Sequence, residues 1–380
     1  MSGKTIFLFF FIFTTFSVHA QVSISGRIVN STGTDPVSKA SVYINNSTIG
    51  TASGENGEYI LNGILPGVYE IVVSHIGFEL LVFKVEVKFT DLKLTFRLDP
   101  KVKQMRDILI LNSNLRSKWM KVLRENFLGL TIAADRTKIL NEDEIFFENI
   151  PDRNVIKAFS ELPLIIENKE LGYRVYFELR EFYFDALEGK TLFYGFSRYE
   201  EIGKPDTEPA RKYLRNREKI YRGSTLHFYH SLLADKLAEE GYTTFITRQP
   251  DTLQAKKSNK PVDSVGTTKQ QTDAPQLAFA ATRKEIFYSD SSDNAKHYLN
   301  WTGTLRVRYK SDPYFKADLE RKVFVSGNLP KGFQSGILML EAPAYLDPNG
   351  ILINPLAVQY SGFWSYEKLA NMLPINYRPQ

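Results

Sequence analysis

Two hydrophobic periods run through the chain, and the change from one to the other divides it. Between residues 22 and 98 apolar residues recur at every second position in short runs: VSISGRIV, ASVYI, YEIVVSHI, LVFKVEV and KLTFRL. Turn-forming clusters separate these runs: Asn30-Ser31-Thr32-Gly33, Asn45-Asn46, Gly54-Glu55-Asn56-Gly57 and Pro66-Gly67. Alternation broken by frequent turns predicts about seven strands in a β-sandwich. Asn56-Gly57 is a tight-turn pair, because both residues tolerate positive φ. Residues 100–112 read as a connector ending in a short apolar strand. Beyond them the period lengthens: Trp119, Val122, Leu123 and Phe127 recur at helical spacing, with Asn112, Ser113 or Asn114 placed to cap the helix. Asn141-Glu142-Asp143-Glu144 predicts a second helix start, Asn141 capping and Glu144 reaching back. Residues 171–184 alternate strictly and predict a long strand with one wet face, paired with residues 190–200. Helices are expected over 209–222 and 224–240, the latter stopped by Gly241. Strands over 242–247, 285–288, 302–309, 322–325 and 336–340 follow, then an amphipathic helix over 365–372. The second region, residues 113–380, is therefore expected to be an α+β domain with a mostly antiparallel sheet.

The N-terminal residues change the picture by setting a compartment. Residues 1–20 carry one basic residue, Lys4, an apolar run over 6–13, and the small-residue end Val18-His19-Ala20. This is the layout of a secretory signal peptide, with cleavage expected before Gln21; the apolar run is too short to span a bilayer. No cysteine lies near the cut to carry a lipid anchor, and no later segment is long and apolar enough to cross a membrane. The expectation is an exported protein, periplasmic or associated with the outer membrane, without a transmembrane segment after cleavage. The chain has no cysteine at all, which excludes a thiol nucleophile and cysteine-ligated zinc or iron–sulfur sites. A chain of this size buries enough core to do without disulfides. The formal charge of +5 is too weak to argue for a nucleic-acid partner. Residues 248–276 contain no aromatic residue in a chain that is 13% aromatic. That composition predicts a disordered loop interrupting the α+β domain.

The run GRIVNSTGTDPVSKASVYINNSTIGTASGENGEYILNGILPGVYEIVVSHIGFE resembles the carboxypeptidase-regulatory-like domain, a transthyretin-like (prealbumin-like) sandwich related to carbohydrate-binding folds. Gly26 opens the first strand of the pattern, Pro36 and Ala40-Ser41-Val42 mark the second, and Gly50-Thr51 the third. Gly57-Glu58-Tyr59 begins the fourth, and Ser74-His75-Ile76-Gly77-Phe78 closes the set. The resemblance covers residues 21–99. It implies an accessory or docking unit, found in relatives beside metallocarboxypeptidase domains and at the front of outer-membrane receptors, and it implies no catalysis. LPLIIENKELGYRVYFEL, YRGSTLHFYHSL and GFWSYEKLANMLPINYRP resemble the C-terminal part of envelope proteins known only by their carboxypeptidase-like regulatory domain. That second resemblance implies no activity.

Tests for chemistry narrow the field. A metallocarboxypeptidase of the relevant kind needs His-x-x-Glu and a later histidine, so that three ligands converge and leave one position for water. The histidines are His19, His75, His227, His230 and His297, and none is followed by Glu three residues on. No metal and no cofactor is expected. His227 and His230 share one helix face at i, i+3, a workable spacing for two ligands; the alternative is a pair of hydrogen-bonded, partly buried imidazoles. Ser224, His227 and Asp235 invite a triad, but Ser224 follows Gly223 at an N-cap position and no G-x-S-x-G elbow presents it. Phosphate-loop and dinucleotide fingerprints are absent. Arg211, Arg215, Lys219 and Arg222 form a basic stripe at i, i+4, i+8, i+11, suited to an anionic envelope polymer, lipid head groups or an acidic partner surface; the expected partner is an envelope protein, a glycan or an anionic envelope polymer. Pairing with Glu200, Glu201 and Glu208 would instead make it an ordinary solvated face. The sequence reading is a non-enzymatic envelope binding or docking protein, with Arg211, Arg215, Lys219, Arg222, His227 and His230 as binding candidates. The alternative is an envelope peptide or glycan hydrolase with its site in the second region.

Overall fold

The computed structural model describes residues 21–101, 108–148, 154–187, 189–204, 206–248, 277–290, 296–310 and 333–379. The signal peptide expected at 1–20, the loop expected over 248–276 (save Arg248) and the strand expected at 322–325 lie outside the described residues.

The alternating runs of the first region form seven strands: β1 (Val22–Asn30), β2 (Ser41–Ile44), β3 (Gly50–Ala52), β4 (Glu58–Ile64), β5 (Gly67–Ser74), β6 (Leu81–Val87) and β7 (Leu92–Leu98). They stack as a three-stranded sheet in the order β4-β1-β7 on a four-stranded sheet in the order β3-β2-β5-β6. The inward residues form one core, in which Ile24, Ile28, Val42, Ile44, Leu61, Ile71 and Leu98 are 0–1% exposed. The first and last strands pair in parallel, Ile24 opposite Leu92 through Asn30 opposite Leu98. Gly26 sits within β1 rather than at its start. A Cβ there would lie 1.8 Å from the Leu94 carbonyl oxygen, so only glycine allows this strand approach.

The second region is α+β, its sheets built from antiparallel pairs. Helix α1 (Ser113–Phe127) starts where the spacing places it, Asn112 accepting from Leu115 N–H at 2.9 Å. It buries Met120, Leu123 and Phe127, with Trp119 and Val122 packed at the margin. After the single turn α2 (Ile132–Asp135) come β8 (Thr137–Ile139), β9 (Ile145–Phe147), β10 (Val155–Ser160), β11 (Leu164–Asn168), β12 (Tyr173–Asp185) and β13 (Lys190–Glu201). β12 is the spine of this sheet: β11 and β10 share one of its edges and β13 runs along the other. Phe127 meets Phe177 and Phe193 edge-on, at centroid distances of 5.1 and 5.0 Å.

Helices α3 (Glu208–Tyr221) and α4 (Thr225–Leu233) lead into a second core of the same region. Its strands are β14 (Tyr242–Arg248), β15 (Leu277–Ala280), β16 (Phe287–Ser289), β17 (His297–Leu299), β18 (Thr304–Tyr309), β19 (Phe333–Met339), β20 (Ala344–Leu346) and β21 (Val358–Gly362). Five form the sheet β15-β14-β18-β19-β21 and three the sheet β16-β17-β20. The short helix α5 (Arg283–Ile286) precedes β16.

Four local expectations are corrected. The helix expected over 224–240 stops at Leu233, because Asp235 takes φ 57° and Lys236 N–H turns back to Ser231 O at 2.8 Å. Residues 141–144 make only a 3-10 turn; Asn141 instead ties the β11 entry, donating to Pro163 O and accepting from Ile165 N–H. The strand expected at 285–288 begins as α5, held by a capping box between Thr282 and Glu285. The closing helix is two 3-10 turns, because tertiary partners take its backbone: Ala370 N–H donates to Leu128 O, and Asn168 donates to Ala370 O.

Candidate functional site

The α3–α4 corner gathers all six sequence candidates. The run from Glu208 to Tyr221 is helical because Pro209 fits the first turn and its last two turns bury one face at i, i+1, i+4, i+5 spacing. That inner face carries Asn216, Arg217, Ile220 and Tyr221. Gly223, with φ 85°, breaks the chain sharply into α4, and Ser224 caps α4 by accepting from His227 N–H at 3.2 Å while donating to Tyr221 O at 2.7 Å.

A cleft of about 340 Å³ opens here, lined by Glu218, Tyr221, Arg222, His227, His230 and Glu240, with Ser231, Lys236 and Pro379 at its margin. Both imidazoles reach it, and both are fully engaged. His227 Nδ1 accepts from Gly223 N–H at 3.0 Å and lies 2.9 Å from the Tyr242 hydroxyl. Its Nε2 therefore carries the proton and donates to Glu240 at 3.2 Å. His230 Nε2 donates to Asn349 O at 2.9 Å, leaving Nδ1 to accept from the Tyr221 hydroxyl at 2.8 Å. Burial lowers the pKa of both rings, that of His230 to about 4. They are neutral rings with each nitrogen already committed. Two metal ligands on one helix face is not what the i, i+3 spacing delivers. Among the described residues no group of three or more His, Asp or Glu side chains is arranged to hold a metal ion.

The triad does not assemble. Ser224 spends its hydroxyl on the helix cap and is buried. Asp235 sits beyond the end of α4, 74% exposed at the side chain and 3.6 Å from Arg283.

The basic residues of α3 and its end divide by burial. Arg211, Arg215, Lys219 and Arg222 face solvent. Arg215 and Arg211 both approach Glu208, at 2.9 and 3.9 Å, and Arg222 pairs with Glu218 at 2.6 Å; Glu208, among the three acidic residues weighed from sequence, is the one that pairs with the stripe. Arg217, two positions from both Arg215 and Lys219, is 3% exposed. It donates to Leu171 O and Gly172 O, pairs with Glu201, and lies flat over the Tyr173 ring at 3.8 Å.

Sequence reasoning missed what couples this corner to the sandwich. The turn Asp347-Pro348-Asn349-Gly350 stands between them. Its Asn349 carbonyl receives His230, while the Asn349 amide donates to Pro66 O and to the Tyr69 hydroxyl, both at 2.9 Å. Asp347 is fully buried; it accepts from Asn349 N–H and Ile351 N–H, and burial raises its pKa. A Cβ on Gly67 would stand 2.3 Å from the Asn349 amide nitrogen, so the seam requires glycine there. Ser197 adds a second tie, accepting Asn46 N–H at 2.7 Å through its carbonyl, and Ser74 donates to the half-buried Glu178 at 2.6 Å. The Asp-Pro-Asn-Gly turn signal was readable in the sequence; its target on the other region was not. A last unanticipated group is Glu367, hydrogen-bonded by Thr225 at the start of α4, whose carboxyl burial pushes up to about 8.

Comparison with known proteins bears mainly on the sandwich. Residues 24–110 match the family model of the CarboxypepD_reg-like domain, so the sandwich is a domain of that kind. Such domains are non-catalytic. No curated protein matches the chain. Among solved structures, a type II cohesin–X-dockerin complex mutant from Acetivibrio cellulolyticus aligns at 20% identity over 20% of this chain and 52% of that one, with a TM-score of 0.18. A candidate carbohydrate binding protein from Bacteroides uniformis aligns at 15% identity over 40% of this chain and 55% of that one, TM-score 0.18. A candidate membrane-associated protein of unknown function from Bacteroides fragilis aligns at 11% identity over 42% and 65%, TM-score 0.18. The chain thus spans between about half and two thirds of these proteins, and likeness at this level says nothing of what it binds. Among the described residues no helix is long and apolar enough to cross a membrane.

Proposed function

We propose that this is a non-catalytic binding and docking protein of the cell envelope. The leader-like residues 1–20 support the envelope setting, and the CarboxypepD_reg-like sandwich supports docking. The observation that carries the non-catalytic reading is the commitment of all four ring nitrogens of His227 and His230 within the fold. A general base needs a free lone pair within reach of substrate, and neither ring offers one. On this reading the cleft recognises a polar envelope peptide or glycan through Arg222, while His227 and His230 hold its wall in place. The solvent-facing Arg211, Arg215 and Lys219 extend that surface along α3.

The second reading is a hydrolase of envelope peptide or glycan. The gathering of two imidazoles, Glu218 and Glu240 around one cleft favours it. Zinc analysis and product assays on the purified protein separate the two. The binding reading expects sub-stoichiometric zinc, no release of peptide or sugar from envelope material, and capture of that material weakened by Arg222→Glu. Stoichiometric tight zinc, or product release abolished by Glu240→Gln, would make the protein a hydrolase.

A further inference from the structure

The five-stranded sheet has a second face that the α3–α4 corner does not touch. Its inner face, with Tyr242, Ile246, Leu305, Val307, Tyr309 and Ile337, is the second core. Side chains alternate along a strand, so the intervening residues point the other way. They are Thr243, Phe245 and Thr247 on β14, Thr304, Arg306 and Arg308 on β18, Leu338 on β19, and Gln359 and Ser361 on β21. Each of them is exposed or half-buried, and the registers put them side by side: Phe245 opposite Arg306, Thr243 opposite Arg308, Thr304 opposite Leu338.

No acidic side chain stands among these outward positions. Arg306 and Arg308 form no ion pair with a described carboxylate, in contrast to the arginines of α3. The Arg308 guanidinium lies 5.8 Å from the Phe245 ring. Arg306 lies across Gly336, where a Cβ would come within 3.1 Å of its guanidinium nitrogen and 2.4 Å of Ser361 Oγ. The bare glycine leaves room for the guanidinium beside a hydroxyl. Two positive charges about 7 Å apart on one strand, set among threonine and serine hydroxyls, an amide and one aromatic ring, complement one class of ligand. Carboxylates would take the guanidinium forks, sugar hydroxyls the threonine row, and a sugar face the ring of Phe245. A membrane or a hydrophobic protein surface would need a larger apolar patch than Phe245 and Leu338 supply.

We propose that the outer face of the β15-β14-β18-β19-β21 sheet binds a linear, carboxylate-bearing polysaccharide through Arg306, Arg308 and Phe245. This site is independent of the α3–α4 cleft and of whether that cleft binds or hydrolyses. Titration calorimetry of the full chain with polygalacturonate, with neutral dextran of similar length and with anionic phospholipid vesicles tests it. The expected result is binding to polygalacturonate alone, weakened at high salt, and reduced about tenfold or more in the Arg306→Gln/Arg308→Gln protein. Lys93→Gln/Arg97→Gln, two exposed cations of the sandwich, should bind as the parent does, and unchanged thermal melts confirm that both variants are folded. Absence of binding by the parent, equal binding of dextran, binding of vesicles alone, undiminished binding by the Arg306/Arg308 variant, or loss only in the Lys93/Arg97 variant would each overturn the proposal.

Discussion

The inner and outer faces of α3 and α4 draw on the same residue types from the same stretch of chain, yet they do opposite things. Outside, Arg211, Arg215 and Arg222 share solvent with Glu208 and Glu218, and such pairs contribute little to stability. Inside, Arg217, His227 and His230 satisfy backbone groups of neighbouring elements. A buried acceptor without its donor is costly, so the inner polar residues hold the fold while the outer ones remain open to ligands. Charge density along a sequence does not tell these roles apart.

Arg217→Ala should break the contrast most severely. It leaves the Leu171 carbonyl without its donor, leaves Gly172 O only the Ile202 N–H, and removes the plate over Tyr173, a loss of about 3 kcal/mol. Chemical denaturation measures it, and a change below about 1 kcal/mol would mean water replaces the guanidinium.

Acid titration comes next in size. The folded pKa of His230 lies at about 4, below its unfolded value. Between the unfolded pKa and about pH 4 the unfolded chain takes up a proton that the folded chain refuses, so stability falls as pH drops through that window. The loss is at most about 3 kcal/mol from this ring, and His227, also lowered, adds in the same direction. His230→Gln should flatten this acid limb in melts recorded across the range. Glu367 behaves oppositely. Its raised pKa makes the folded chain hold a proton that the unfolded chain releases, so stability declines from its unfolded pKa up to about 8. Glu367→Gln should therefore stabilise the protein more at pH 8 than at pH 5.

Asn349→Ala removes the amide that bridges Pro66, Tyr69 and Asp347 but keeps the carbonyl that receives His230. A cost of about 1–2 kcal/mol is expected, with easier proteolysis at the seam between sandwich and second region. Arg215→Ala marks the lower end, within about 0.5 kcal/mol of the parent; a larger effect would show that the outer pairs are not merely solvated.

How much of this was legible beforehand follows from the range of the interactions. The sandwich strands and α1 are written in local patterns: alternation, turn pairs, an Asn cap and a helical stripe. The long β12–β13 pair was equally plain. The end of α4 was not, because Asp235 adopts a left-handed turn that its neighbours gave no reason to expect. Nor was the fate of 365–372, whose backbone bonds to Leu128 and Asn168 from more than 200 residues away. The site behaved in the same way. His227 and His230 were found by spacing, and the hydrogen-bonded alternative to ligation describes their geometry; their partners Tyr242, Glu240 and Asn349 come from separate elements. Arg217 was only part of a basic run until burial distinguished it.

The parallel pairing of β1 with β7 bears on when the first domain can form. Those neighbours are 68 residues apart along the chain, Ile24 beside Leu92. A growing polypeptide that ends short of Leu92 leaves β1 with one bare edge, open to pairing with another chain. Closure of that long loop must wait for the final strand, and such non-local topologies fold slowly. Synthesis must therefore run past Leu98 before this unit can lock.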